Sequence, residues 1–137
     1  IKHAASVMDK GGSIINVGSV ASITGEIHLG SYVASKHSVA GLTKTAAIEL
    51  GEKKIRVNCI CPTTVDTPMA HEEGGEYLIE SSKLLVPLGR LCLPDEVAAL
   101  VHFLAADDCG YVNGQLINLC GGMTAGLNER AMNKLVG

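Results

Sequence analysis

Three short apolar runs, each bounded by glycine or turn residues, punctuate the chain: SIINV at 13–17, IRVNCIC at 55–61 and QLINL at 115–119. They are rich in Ile and Val and alternate poorly with polar residues. That is the pattern of strands covered on both faces, the parallel kind. Between them the apolar spacing changes to three and four. Residues 31–50 carry Ala, Val and Leu at that spacing and stop at Gly51, a good helix terminator. Residues 94–106 open on Pro-Asp-Glu, which suits a first helical turn, and continue Val-Ala-Ala-Leu-Val. The predicted order is β-α-β-α-β, an α/β fold whose crossovers require a parallel sheet.

Residues 63–90 interrupt this rhythm with His71-Glu-Glu-Gly-Gly and a short helical run at 76–85. A connection this long commonly serves as a lid or binding loop; the alternative is a solvated surface insertion. The opening Ile-Lys-His-Ala-Ala reads as helix interior without a capping residue. The chain is therefore expected to start partway through a domain, with any targeting signal upstream of it. Residues 123–137 mix small and polar side chains and fit a short helix, an oligomer contact or a frayed end.

Composition narrows the function classes. With 137 residues, 47% of them apolar and 18% charged, the chain suits one globular domain rather than a disordered tail. A net charge of −3 gives no field to attract nucleic acid or an acidic membrane. The aromatic residues Tyr32, Tyr77, Phe103 and Tyr111 form no base-stacking platform, and no apolar run reaches membrane-span length. The histidines lack metal-ligand spacing, so no metal site is expected. The five cysteines form no CxxC pair and read as buried reduced thiols of a cytoplasmic protein. Cys59 and Cys61, two apart in a strand, are expected to face opposite ways.

In open α/β sheets ligands sit at the carboxyl ends of the strands. The unusual residues fall there: Gly18-Ser19-Val20-Ala21-Ser22 after the first strand, Pro62-Thr63-Thr64-Val65-Asp66-Thr67-Pro68 after the second, and Cys120-Gly121-Gly122 after the third. Tyr32 and Lys36, four apart, share one face of the long helix. A phenol is a poor base at neutral pH, with an ordinary pKa of about 10, and an adjacent ammonium favours its ionised form. A tyrosine so tuned can take a proton from an alcohol or return one to a developing alkoxide. Ser19 can hold the substrate oxygen as a hydroxyl donor. Alone, a Tyr four residues before a Lys recurs by chance; the combination with GSVAS and the Pro-Thr loop does not. Ser22 reads as a loop hydroxyl and Asp66 as a solvated turn acid. Arg90 and Glu96 read as structural, and Lys44 and Glu49 as an exposed or subunit-facing side of the helix.

In these pieces the sequence resembles the classical short-chain dehydrogenases/reductases (SDR). The matching segments are GGSIINVGSVAS, SYVASKHSVAGLTKTAAIEL, IRVNCICPTTVDTPM, PLGRLCLPDEVAALVHFLAADD and GYVNGQLINLCGG, in family order. The wording is most similar to plant secoisolariciresinol, xanthoxin and momilactone dehydrogenases. The resemblance implies a Rossmann-like doubly wound sheet and hydride transfer between NAD or NADP, NAD by sub-family, and a secondary alcohol or ketone. It implies that Tyr32 is the acid/base and also binds the cofactor, that Lys36 binds the nicotinamide ribose and supports Tyr32, and that Ser19 orients the substrate oxygen. Val65 would bind the nicotinamide carboxamide through its backbone and Thr67 through its hydroxyl, while Pro62 and Thr63 line the pocket. Residues 69–85 would close over a small hydrophobic alcohol or ketone. A homodimer or homotetramer is implied as well.

The family's TGxxxGIG phosphate loop has no counterpart here, nor do its NAG-type segment, its upstream Asn and the residue that separates NAD from NADP. Residues 1–137 are thus expected to form the C-terminal part of one NAD(P)-binding domain, without its dinucleotide-binding part. Thr63 replaces the usual glycine, and Cys120 replaces the usual Asp, with the expected loss of a turn hydrogen bond. Two rivals stand beside the dehydrogenase reading. One is a truncated, non-catalytic relative that associates with full-length subunits; the other is a reductase acting on acyl-carrier substrates. In the family sheet order 3-2-1-4-5-6-7, this chain would supply the last three strands and leave an apolar edge unpaired. The isolated 137-residue chain is predicted to be unstable or to associate. Analytical ultracentrifugation with thermal melting checks this; a cooperative monomeric melt with micromolar NAD binding would contradict it.

Overall fold

A computed structural model describes residues 1–72 and 75–137. The order of the principal elements is α1 (Lys2–Val7), β1 (Gly12–Val17), α2 (Gly30–Glu49), β2 (Ile55–Pro62), α3 (Gly75–Leu85), α4 (Pro94–Ala105), β3 (Leu116–Leu119) and α5 (Glu129–Val136). The three strands form one parallel sheet in the order β1-β2-β3. This is the expected α/β architecture, and each strand begins and ends within one residue of its apolar run. Apolar content decided those limits: β2 is buried along almost its whole length, as a strand flanked by two others and covered on both faces must be.

Strand alternation sorts the layers. Gly12, Ile14 and Asn16 of β1 pair with Ile55, Val57 and Cys59 of β2 and face α2. There Ala46 and Ala47 of α2 close on Ile55 and Val57, with Ile14, Met8 and Leu50 around them. Small α2 residues let the helix lie close to the sheet. Ser13 and Arg56 face the other layer, where α4 packs. Ser13 Oγ donates to Leu104 O at 2.8 Å, and the Arg56 guanidinium donates to Leu104 O at 2.9 Å, Ala106 O at 3.1 Å and Val112 O at 3.3 Å. A cation thus satisfies carbonyls left open at the end of α4, where the helix dipole is negative.

Two asparagines stitch the turn before β3 to the sheet. Asn58, fully buried, donates to Val112 O at 2.8 Å and accepts from Gln115 N at 3.0 Å. Asn113 accepts from Val57 N at 2.8 Å and donates to Ala47 O at 3.1 Å.

The opening residues are helical, as read. The tail is also helical: Asn128 caps α5 by accepting from Ala131 N at 3.0 Å, and its amide donates to Leu84 O and Leu85 O at the end of α3. Cys59 and Cys61 do not face opposite ways. Strand side chains alternate with period two, so residues two apart share a face, and the two sulfurs lie 4.0 Å apart. All five cysteines are buried and free.

Arg90 forms two 2.7 Å bonds to Glu96, which also accepts from Leu93 N at 2.8 Å and so ties the start of α4 to the preceding loop. The Arg90 hydrogen bonds, helped by Leu93 N–H, lower the Glu96 carboxyl to about 2. A depressed folded-state value means that this contribution is complete above the ordinary carboxylate range and fades as pH falls towards 2. The Tm difference between the protein and Glu96→Gln is therefore predicted to be constant near neutrality and to close on acidification, which calorimetry across that range measures.

Candidate active site

The carboxyl end of β1 turns sharply at Gly18. Its backbone N–H donates to Ile60 O at 2.8 Å, continuing the ladder by one residue, before Val20–Ser22 form a 3-10 turn. That turn carries a reciprocal cap: Ser19 Oγ accepts from Ala21 N and Ser22 Oγ accepts from Ser19 N, both at 3.2 Å. Ser19 is almost buried, and its hydroxyl proton remains available to a ligand oxygen. Ser22, read from sequence as a loop hydroxyl, is a buried cap instead.

The first turns of α2 pack against this corner. Tyr32 is 41% exposed, so its phenol meets solvent or a ligand. Lys36 Nζ donates to Val17 O at 3.3 Å and lies 5.6 Å from the centre of the Tyr32 ring. The ammonium is therefore fixed to the end of β1 beside the tyrosine, within cation–π range. Among the described residues this bond engages one of its three N–H donors. Helix spacing brings Tyr32 and Lys36 together, and Lys36 reaches Val17, two residues before Ser19.

The second loop supplies the opposite wall. Pro62 ends β2 beside Leu119, and Thr63 N donates to Leu119 O at 3.2 Å. Val65 forms a parallel bridge with Cys92, in which Cys92 N donates to Thr64 O at 3.2 Å and Asp66 N donates to Cys92 O at 2.8 Å. In such a bridge the peptide groups of Val65 point away from Cys92. Thr67 Oγ1 donates to Val65 O at 3.4 Å, a long bond that a ligand can replace.

The segment expected to cover the substrate starts with a 3-10 turn at Pro68–His71 and continues as α3; Glu73 and Gly74 lie outside the described residues. Ser82 of α3 donates to Thr64 Oγ1 at 2.8 Å, anchoring that helix to the loop. Met69, Tyr77, Leu78 and Leu85 are exposed, whereas Leu84 is half-buried. Asp66 is more than a solvated acid, since its Oδ1 lies 2.7 Å from His71 Nε2. After β3, Cys120 Sγ meets Thr124 Oγ1 at 3.2 Å, so the turn bond expected to be lost is made by sulfur. A cavity of about 580 Å³ lies at the other end of the sheet among Lys10, Lys54 and Arg56. Its lining includes neither Ser19, Tyr32 nor Lys36. Ser19, Tyr32 and Lys36 lie instead at the end of the sheet where β1 exits.

The chain belongs to the short-chain dehydrogenase/reductase family. Residues 1–124 match the family described as enoyl-(acyl carrier protein) reductase. The short-chain dehydrogenase fogB of Aspergillus ruber is 45% identical over 115 residues, covering 82% of this chain and 42% of that protein. The 3-oxoacyl-(acyl-carrier-protein) reductase FabG of Thermotoga maritima is 44% identical over 117 residues, covering 85% and 47%. The acetoin dehydrogenase from Enterobacter cloacae superposes with a TM-score of 0.79 at 35% identity, covering 93% of this chain and 50% of that one. The chain thus spans about half the length of these relatives. They are fungal and bacterial, and the plant sub-family is not among them. Members of the family are oxidoreductases that use NAD or NADP.

Gly18 carries a steric requirement. A β-carbon there would lie 2.6 Å from Ser22 Oγ and 2.8 Å from Cys59 Sγ. Gly18→Ala is predicted to destabilise the protein by about 2 kcal/mol, the usual scale of overpacking. Urea unfolding measures the change.

Proposed function

We infer that the chain carries the catalytic part of an NAD(P)-dependent oxidoreductase interconverting a secondary alcohol and a ketone. The supporting observation is the Lys36 ammonium held on Val17 O at 3.3 Å beside the exposed Tyr32 ring, at the rim that Ser19 shares. The donor set suits a nicotinamide nucleoside: the Lys36 N–H groups not bonded to Val17 for a ribose, and the outward Val65 peptide with the Thr67 hydroxyl for a carboxamide. Pro62 and Thr63 form the floor. The nicotinamide, when bound, supplies the hydride chemistry. Ser19 donates its hydroxyl proton to the substrate oxygen and sets its position. Tyr32 takes the alcohol proton in oxidation and returns it in reduction. Lys36 holds its ammonium beside the Tyr32 ring. The exposed Met69, Tyr77 and Leu78 give the substrate side an apolar character that suits a small hydrophobic alcohol or ketone. NAD rather than NADP rests on the plant-like wording alone. The whole protein is expected to be a homo-oligomer in which residues 1–137 complete a dinucleotide-binding domain.

A second reading, reduction of a ketone on an acyl-carrier thioester, draws support from the 44% identity to 3-oxoacyl-(acyl-carrier-protein) reductase. Parallel assays on acyl-carrier and free hydrophobic ketones separate the two.

In the full-length enzyme, Tyr32→Phe is expected to lower kcat by about 10²-fold or more, the scale of a lost general acid/base, while leaving Tm and cofactor binding in place. Steady-state kinetics with fluorescence titration of the nicotinamide test this. Retained turnover would remove Tyr32 from the mechanism.

A further inference from the structure

The proposed reaction gives the C-terminal helix no part. Asn128 caps α5, its Oδ1 accepting from Ala131 N at 3.0 Å. The amide of the same side chain reaches the end of α3, where it donates to Leu84 O at 2.9 Å and Leu85 O at 2.8 Å. Two residues on, the Arg130 guanidinium donates to Val86 O at 2.8 Å and Pro87 O at 3.1 Å. Four successive carbonyls, at and just beyond the end of α3, are thus met by two side chains from one helix start. A helix leaves its last carbonyls without partners of its own and carries partial negative charge there, so amide donors and a cation suit that end. The glycines after β3 fit the same segment closely. A β-carbon on Gly121 would lie 2.5 Å from Val86 Cγ1, and one on Gly122 would lie 3.0 Å from Pro87 Cγ. Leu88 N donates to Gly121 O at 3.3 Å. α3 is also tied to the rim itself, since Ser82 Oγ donates to Thr64 Oγ1 at 2.8 Å, between Thr63 and Val65.

We propose that Asn128 and Arg130 are positioning residues that set where α3 lies on the substrate side of the site. The proposal rests on the reaction inferred above, because it concerns the helix that brings the exposed Tyr77 and Leu78 to that side. The Ser82–Thr64 bond fixes one point of α3, and the four bonds at Leu84–Pro87 fix its direction. Both residues act through α3 and not on the reacting atoms. Without the clamp, the apolar side chains of α3 meet a hydrophobic ketone less well. The groups inferred to hold the nicotinamide, at Lys36, Val65 and Thr67, sit on α2 and the loop after β2 and keep their places.

Asn, Asp and Ser cap helices about equally well, which separates the two tasks of residue 128. Asn128→Asp and Asn128→Ser keep an oxygen for α5 and remove the amide that holds α3. Arg130→Ala removes the guanidinium, and Arg130→Lys keeps the cation. In the full-length enzyme, Asp and Ser at 128 and Ala at 130 are expected to raise KM for a hydrophobic ketone by about fivefold or more, the scale of one lost hydrogen bond, with the nicotinamide KM changed less than about twofold. Lys at 130 is expected to recover part of the loss. Amide exchange at Val86, whose N–H closes the last turn of α3 on Ser82 O, is expected to quicken in the 128 variants while that at Ala131 stays unmoved. A merely structural role lowers Tm and moves both KM values together, or moves neither, and either result overturns the proposal. If α5 loses its cap in a 128 variant, seen as faster exchange at Ala131, the Arg130 pair decides by the same two KM values. Absence of ketone turnover by the unmodified enzyme sinks the proposed reaction; an unchanged ketone KM in variants of an active enzyme sinks only the clamp.

Discussion

The arrangement of this chain depends on β2 being paired along both of its edges. Its backbone pairs with β1 from Ile55 to Ile60 and, on the other side, with β3 from Cys59 to Pro62 and with Asn113 and Gly114 at Val57. That lets it be buried almost throughout. Everything at the site is placed relative to it. Gly18 and Ser19 are reached by extending the β1 ladder one step past Val17. Pro62 and Thr63 are the next residues of β2 itself. Cys120 and the following glycines leave β3 at the same level. Parallel pairing brings three chain exits to one rim, and two polar loops and a helix start can then share a substrate.

Much of this was legible in the sequence because it depends on local periodicity. The three apolar runs became strands nearly residue for residue, and the three- and four-residue spacing after Gly30 became α2. Tyr32 and Lys36 were legible as a pair for the same reason, since four residues on a helix is one turn. Ser19 needed more, namely the knowledge that β1 ends just before it.

What was not legible depends on contacts between distant segments. Ser22 gave no sign in its own neighbourhood that it was a buried cap rather than a loop hydroxyl. Its role comes from the Gly18 corner meeting the sulfurs of β2. A signal did exist: period-two alternation puts Cys59 and Cys61 on one face, and a glycine directly after a strand marks a close approach. The Asp66–His71 contact depends on the fold of the turn at 68–71, which spacing alone does not specify. The C-terminal helix had a local marker in Asn128, a good capping residue, but docking against α3 is what gives that helix a place. The family was legible in its short motifs, but the plant sub-family is not shown by the fungal and bacterial relatives described above. The same short motifs recur across many lineages because they meet the same geometric demand.

The two asparagine stitches also bear on how the molecule assembles. The turn that leads into β3 takes its shape from Asn58 and from the Val57 and Ala47 backbone, all more than fifty residues upstream. The local bonds there, Val112 N–H to Cys109 O and Gln115 Nε2–H to Asn113 O, are joined by these distant ones, whose formation requires that loop to close. β3 is therefore expected to arrive late. On this expectation it docks onto β1, α2 and β2, and the rim of the site is completed with the last strand.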